Sequence, residues 1–288
     1  MAMDILSQRR MLLSEKEQGV DERYASLSDG VVLKIIDFKP PIAAPEHPVI
    51  VFVAGWISLI DGWREVLAEL TPRFRILYIE TREKKSARLP SGPVYFSIDR
   101  LCMDIHEIIE TEISAGKPFC FVGSSLGSTV ILDYLSKGLH QPLLSINIAP
   151  NGSFPFPPWG RLLVRMFLPA TYNCVKPLVK LYLRYFRLDR KLEPAQVRKY
   201  EGTLDEAEPV RLKASALSLM NYRLWDKLPQ VKAPVVVIGA RSDKIHDLRE
   251  MERMVELMPR ARLVVMESNR ETHSHRTGRF IAGEIAAC

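Results

Sequence analysis

Three short stretches constrain this chain more than anything else in it: "VIVFVAGW" (residues 49–56), "PFCFVG" (118–123) and "APVVVIGA" (233–240). Each is an almost unbroken apolar run, and a strand can be apolar at every position only where both faces of its sheet are covered. The segments between them change period. Ile98, Leu101, Ile105, Ile108 and Ile109 recur at helical intervals, and "GWREVLAEL" and "DLREMERMVELM" have the same spacing. Further strand-like runs are "DGVVLKIIDF" (29–38), "RFRILYIE" (73–80), "PLLSINIAP" and "ARLVVMES". Buried strands alternating with amphipathic helices predict an α/β fold, with a mostly parallel central sheet and helices on both faces.

Residues 151–229 break that rhythm. They open with "NGSFPFPPWG", contain amphipathic helices and no clear strand, and read as a helical cap inserted between two sheet strands. The predicted organisation is a first core part over 1–150, with a charged N-terminal extension over about 1–25, then the cap, then a second core part over 230–288.

Composition removes several classes. A chain of 288 residues has ample core for one large α/β domain. No apolar run approaches the roughly 20 residues of a membrane span. The first residues mix both charge signs without the apolar centre of a signal peptide. Four cysteines, Cys102, Cys120, Cys174 and Cys288, lie far apart without metal-ligand spacing, and Cys120 reads as a buried thiol. A reduced, cytoplasmic setting is expected. The net charge of +6 raises nucleic acid as a partner, but its distribution argues otherwise. Between residues 159 and 191 stand Arg161, Arg165, Lys176, Lys180, Arg184, Arg187, Arg190 and Lys191 against one acid, Asp189, so the remainder is near neutral. No recognition-helix, RRM-like or zinc-finger pattern accompanies that charge, and no nucleic acid partner is expected.

Chemistry concentrates where the second apolar run meets a helix. Gly123-Ser124-Ser125-Leu126-Gly127 matches G-x-S-x-G between strand and helix. A sharp reversal there forces the central residue toward unfavourable backbone angles and brings helix close to strand. Glycine is then needed two positions either side, so Gly123 and Gly127 read as structural turn residues. Ser125 would stand at the helix N-terminus, where backbone N–H groups stabilise developing negative charge.

With "VFVAGW", "FVGSSLGS", "VVVIGARSDKI" and "THSH" in this order, most of the chain resembles the α/β-hydrolase fold family, of the serine esterase and lipase type with a helical cap. The resemblance implies a serine nucleophile at Ser125 followed by an acid and then a histidine. Asp243, just beyond the run "PVVVIGA", takes the acid position, where a carboxylate orients an imidazole and stabilises its charged form. His273 is the expected base and His275 the alternative. His246 is expected at the surface, Asp247 as a helix N-cap, and His106 in a helix. His47 and His140 are read as loop residues, and no histidine shows a companion for metal ligation. The family's oxyanion loop carries His-Gly-x; here it is Ala54-Gly55-Trp56, with the histidine missing. Trp56 and Leu126 N–H groups are the implied donors. Where relatives carry D-x-R-G-x-G-x-S, this chain has Glu80-Thr81-Arg82-Glu83-Lys84-Lys85-Ser86, so the substrate class does not carry over.

In the cap, Leu178, Val179, Tyr182, Tyr185 and Phe186 share one helical face, with Lys176, Lys180, Arg184 and Arg187 opposite. Leu162, Leu163, Met166 and Phe167 form a second stripe beside Arg161 and Arg165. The ordinary expectation packs the apolar faces on the core and leaves the basic faces in water. The alternative is an interfacial cap in peripheral contact with anionic membrane.

The function expected is a serine hydrolase acting on a small-molecule ester or acyl substrate, lipid-like esters and thioesters included, through an acyl-enzyme and without metal or cofactor. An acyltransferase would use the same residues. A non-catalytic ligand- or lipid-binding protein of the same fold is the alternative from another class.

Overall fold

Val49–Val53, Phe119–Ser124, Ser145–Ile148 and Val235–Ala240 are buried at every residue and form neighbouring strands of one sheet. A computed structural model describes residues 19–41, 47–154, 156–182, 185, 194–243 and 245–288. The part of the predicted N-terminal extension before residue 19 lies outside the described residues.

The strands are β1 (Val20–Ser26), β2 (Val32–Phe38), β3 (Val49–Val53), β4 (Ile76–Ile79), β5 (Phe119–Ser124), β6 (Ser145–Ile148), β7 (Val235–Ala240) and β8 (Ala261–Met266). Their spatial order is β1-β2-β4-β3-β5-β6-β7-β8. From β4 through β8 all neighbours pair in parallel, while β2 runs antiparallel to both β1 and β4. β1 falls within the stretch read as an extension. It forms an exposed edge carrying Asp21, Glu22 and Arg23, charge that discourages another strand from adding there.

The helices are α1 (Arg64–Leu70), α2 (Ile98–Glu112), α3 (Leu126–Ser136), α4 (Pro158–Met166), α5 (Tyr172–Tyr182), α6 (Pro194–Glu206), α7 (Pro209–Leu219), α8 (Leu248–Leu257) and α9 (His275–Ala286). Their boundaries have local causes. Ser97 caps α2 by accepting from the Arg100 N–H, and Asp247 caps α8 by accepting from the Arg249 N–H, as its sequence position predicts. The helices from α4 to α7 sit between β6 and β7 in chain order and make up the inserted segment. Among the described residues no helix is long and apolar enough to cross a membrane.

The core is continuous along the sheet. Phe52 of β3 meets Trp63 edge-on at 5.1 Å and stacks on Tyr78 of β4 at 5.3 Å. Each such side chain contributes about 1.5–3 kcal/mol through burial. What this packing positions is the carboxyl end of β3, β5, β6 and β7, the edge where a parallel α/β sheet places its ligand crevice.

The helices between β6 and β7 depart from the ordinary expectation. Leu162, Leu163 and Met166 of α4 and Leu178 and Tyr182 of α5 are exposed, as is Tyr185, so these apolar side chains do not face the core. Phe186 lies outside the described residues. Tyr172 of α5 is buried and Val175, Lys176, Val179 and Lys180 are half-buried, the two lysines both paired with Asp205 of α6 at 3.0 and 2.7 Å.

Candidate active site

β5 ends at Ser124 and α3 begins at Leu126, which leaves one residue to make the reversal. That residue, Ser125, has φ 49° and ψ −115°, a backbone state that costs about 1–3 kcal/mol in a non-glycine residue. Its N–H is tied to the Ile148 carbonyl of β6 at 2.8 Å. The flanking glycines are sterically required. A Cβ on Gly127 would lie 2.0 Å from the Val53 carbonyl oxygen, and one on Gly123 would lie 2.9 Å from the Ser128 backbone. Among the described residues two more non-glycine residues have positive φ, Ile57 after β3 and Ala149 after β6, each at 48°. All three strained positions follow strands at the same edge of the sheet, where strain accompanies function.

The Ser125 hydroxyl faces an imidazole. Its Oγ lies 3.0 Å from Nε2 of His246, whose Nδ1 lies 2.9 Å from Asp243 Oδ2. With the ring proton on Nδ1 and donated to the carboxylate, Nε2 is free to accept from Ser125. The Asp243 carboxylate also accepts from the backbone N–H groups of Ile245 and His246 at 2.8 and 3.1 Å, and from the Asn269 amide at 2.7 Å. Burial alone would raise its pKa. The His246 hydrogen bond and charge, the Ile245 N–H and the Asn269 amide outweigh burial and hold it near about 2. Asn151, just beyond β6, donates from Nδ2 to Ser125 Oγ at 3.2 Å, and its own N–H donates to Thr129 Oγ1 at 3.0 Å. A cavity of about 610 Å³ opens beside the imidazole, lined by Asn151, Asp243 and His246 together with Arg241, Arg249 and Glu250.

The histidine predicted as base is elsewhere. His273 lies in a short 3-10 turn (Glu271–His273). Its Nδ1 sits 3.1 Å from the Asn269 carbonyl and 2.9 Å from Thr272 Oγ1, and its ring packs on Trp63 at 4.2 Å. His275, the alternative, opens α9 and faces Glu69 Oε1 at 2.9 Å. The imidazole set against Ser125 Oγ is that of His246, and the loop after β8 sends Asn269 to Asp243. His246, expected at the surface, is 6% exposed. Two signals pointed its way: Thr272, not a glycine, directly precedes His273, and an Asp-x-x-His step lets one carboxylate cap a turn and hold the ring three residues on. No sequence signal identified Asn151 or Asn269.

The oxyanion loop follows β3. Gly55 lies against the elbow, where a Cβ would meet Ser125 Cβ at 3.3 Å. Trp56 is half-buried and donates from Nε1 to Ser215 Oγ at 2.9 Å, joining the loop after β3 to α7. The next residue, Ile57, is held by Glu83, whose carboxylate accepts from the Ile57 N–H at 3.3 Å and from Thr81 Oγ1 at 2.7 Å. Glu83, where relatives have a glycine, is therefore a buried fastener for this turn. Leu126 is the first residue of α3, and its N–H is among the four at a helix start that lack an intrahelical acceptor.

His106 and His140 do have companions. Their rings stack at 5.2 Å, His140 pairs with Glu110, and ligand atoms of the three lie within 4.8 Å of one another. The group sits by the far end of α3, about 16 Å along its axis from Ser125.

A family model for the alpha/beta hydrolase family matches residues 50–277. Comparison with curated protein sequences finds no match. Among solved structures, a thermophilic esterase from Thermogutta terrifontis is 16% identical with a TM-score of 0.73, covering 93% of this chain and 98% of that one. An enol-lactonase from Burkholderia xenovorans is 18% identical at a TM-score of 0.74, covering 92% and 100%. An esterase from Exiguobacterium antarcticum is 17% identical at 0.74, covering 93% and 99%. The sheet order, the strained serine between β5 and α3, and a family match over most of the length agree: the chain belongs to the alpha/beta hydrolase family.

Proposed function

We propose that this protein is a serine hydrolase of carboxylic esters or thioesters that works through an acyl-enzyme on Ser125, with His246 as base and Asp243 as the orienting acid. The observation that carries this reading is the unbroken chain from Ser125 Oγ to His246 Nε2 at 3.0 Å and from His246 Nδ1 to Asp243 at 2.9 Å.

In the proposed reaction Ser125 Oγ attacks the substrate carbonyl while His246 Nε2 takes its proton. The carbonyl oxygen gains negative charge beside the Leu126 and Trp56 N–H groups, the proposed oxyanion donors. His246 returns the proton to the departing alcohol or thiol. Water, deprotonated by the same nitrogen, then attacks the acyl carbonyl, and Ser125 leaves with the proton restored. Asp243, ionised well below neutral pH, keeps the imidazole tautomer fixed and offsets its positive charge. Asn151 donates to Ser125 Oγ and so helps hold the hydroxyl with its own proton toward His246 Nε2.

The test is labelling by a fluorophosphonate, with turnover of an ester series of increasing acyl length. Wild type should label and turn over, and Ser125→Ala should do neither while giving the same circular dichroism spectrum. A folded wild-type protein that neither labels nor hydrolyses any ester would sink the catalytic reading in favour of ligand binding.

A further inference from the structure

The outward face of the cap answers to none of the chemistry above. Leu162, Leu163 and Met166 on α4 are 56%, 59% and 69% exposed, and Leu178 on α5 is 65% exposed. Trp159, Leu168, Leu181 and Tyr182 extend the same surface, with the Trp159 and Tyr182 rings edge-to-face at 6.5 Å. Proteins seldom leave contiguous apolar surface of this extent to water unless something covers it.

The charges around the patch select what covers it. From Trp159 to Tyr182 there are four basic residues, Arg161, Arg165, Lys176 and Lys180, and no acid. Arg165 is exposed beside Leu162 and Met166, while Lys176 and Lys180 are drawn inward to Asp205. The apolar side chains are therefore outermost, with cationic groups at the rim and behind. A second copy docking here would set Arg161 and Arg165 of one patch against those of the other, and like charges across an interface are repulsive. Anionic lipid headgroups supply the opposite sign, and long cationic side chains can reach them while leucines enter the acyl boundary. Over the described residues the helices have 9 and 11 residues, too short to span a bilayer and suited to lying in its surface. Exposed Trp and Tyr fit the headgroup level.

We propose that α4 and α5 form a docking surface for an anionic lipid bilayer. The surface is independent of the Ser125 reading, since none of its residues belongs to the site. It sits on the same cap as α7, whose Ser215 holds the Trp56 indole.

The experiment is co-sedimentation of the full chain with vesicles of phosphatidylcholine alone or mixed with phosphatidylglycerol. It is run on wild type, on the triple variant Leu162→Ser/Leu163→Ser/Met166→Ser, and on Arg165→Glu, with thermal melts as the folding control. Wild type should bind the anionic vesicles at least about tenfold more than the neutral ones. The triple variant, melting like wild type, should lose binding to both, and Arg165→Glu should lose the preference for anionic lipid. Equal binding to both vesicles, no binding to either, or binding untouched by the triple variant would overturn the proposal. So would a wild-type dimer in sedimentation velocity that the triple variant dissolves, since it would give the surface to a second copy.

Discussion

α3 and α4 are both short helices rich in apolar residues, yet their surroundings are opposite. Every residue of α3 from Leu126 to Leu135 is buried, whereas α4 has no buried residue at all. α3 is wedged against β5 and the neighbouring helices, and burial there fixes the elbow that presents Ser125. α4 divides its residues cleanly into apolar and polar sides, the pattern usually taken as a sign of packing on a core. Its apolar side faces outward all the same. Periodicity shows that a helix has two sides but not which of them meets water; that depends on what lies beneath.

This contrast can be broken or sharpened by measurement. The largest effect belongs to the buried side. His246→Ala should lower kcat on a soluble ester by on the order of 10⁴-fold or more, the loss expected when a base of this kind is removed. His273→Ala should leave kcat within a few-fold and act on stability through its lost packing on Trp63. The reverse ranking would return the base to the loop after β8 and end the assignment to His246.

Next in size is the difference between the two helices. Leu132 of α3 is completely buried, and Leu132→Ala should cost about 2–5 kcal/mol in urea unfolding. Leu163→Ala on α4, more than half exposed, should change stability by less than about 0.5 kcal/mol. Similar losses at the two positions would mean that α4 packs against something on its outer side.

The smallest effect is electrostatic. The Asp243 carboxyl is lowered from 3.8 to about 2 in the folded protein, so the unfolded chain takes up this proton first as the pH falls. The stability gained from it is complete above about pH 4 and is lost as pH drops through about 2, a change of about 2 kcal/mol. Asp243→Asn lacks that term, so its deficit against wild type should shrink by about this amount between pH 4 and pH 2. A deficit that stays constant would show that the carboxylate owes nothing to its partners.

Much of the fold was legible because fully buried strands leave an unambiguous trace: β3, β5 and β7 coincide with the continuous apolar runs, and α2 with the isoleucine spacing. Ser125 was legible for a local reason, since a strand-to-helix reversal needs Gly123 and Gly127 whatever the rest of the chain does. The base was not. Whether His246, His273 or His275 reaches Ser125 depends on the path of two loops, and side chains from different loops meet through packing that no spacing rule encodes. The family's order favoured the last loop, where the structure places Asn269. Glu83 was noticed only as a departure. Its contact with the Ile57 N–H bridges 26 residues, which residue type alone does not reveal.

The three-residue step from Asp243 to His246 has a dynamic consequence. In the mechanism we propose, the proton acceptor and its counter-charge stand three residues apart in the chain, so they advance on the hydroxyl together or retreat from it together. Under that proposal reactivity would follow the single connection between β7 and α8, and whatever grips it would arm or disarm the serine in one stroke.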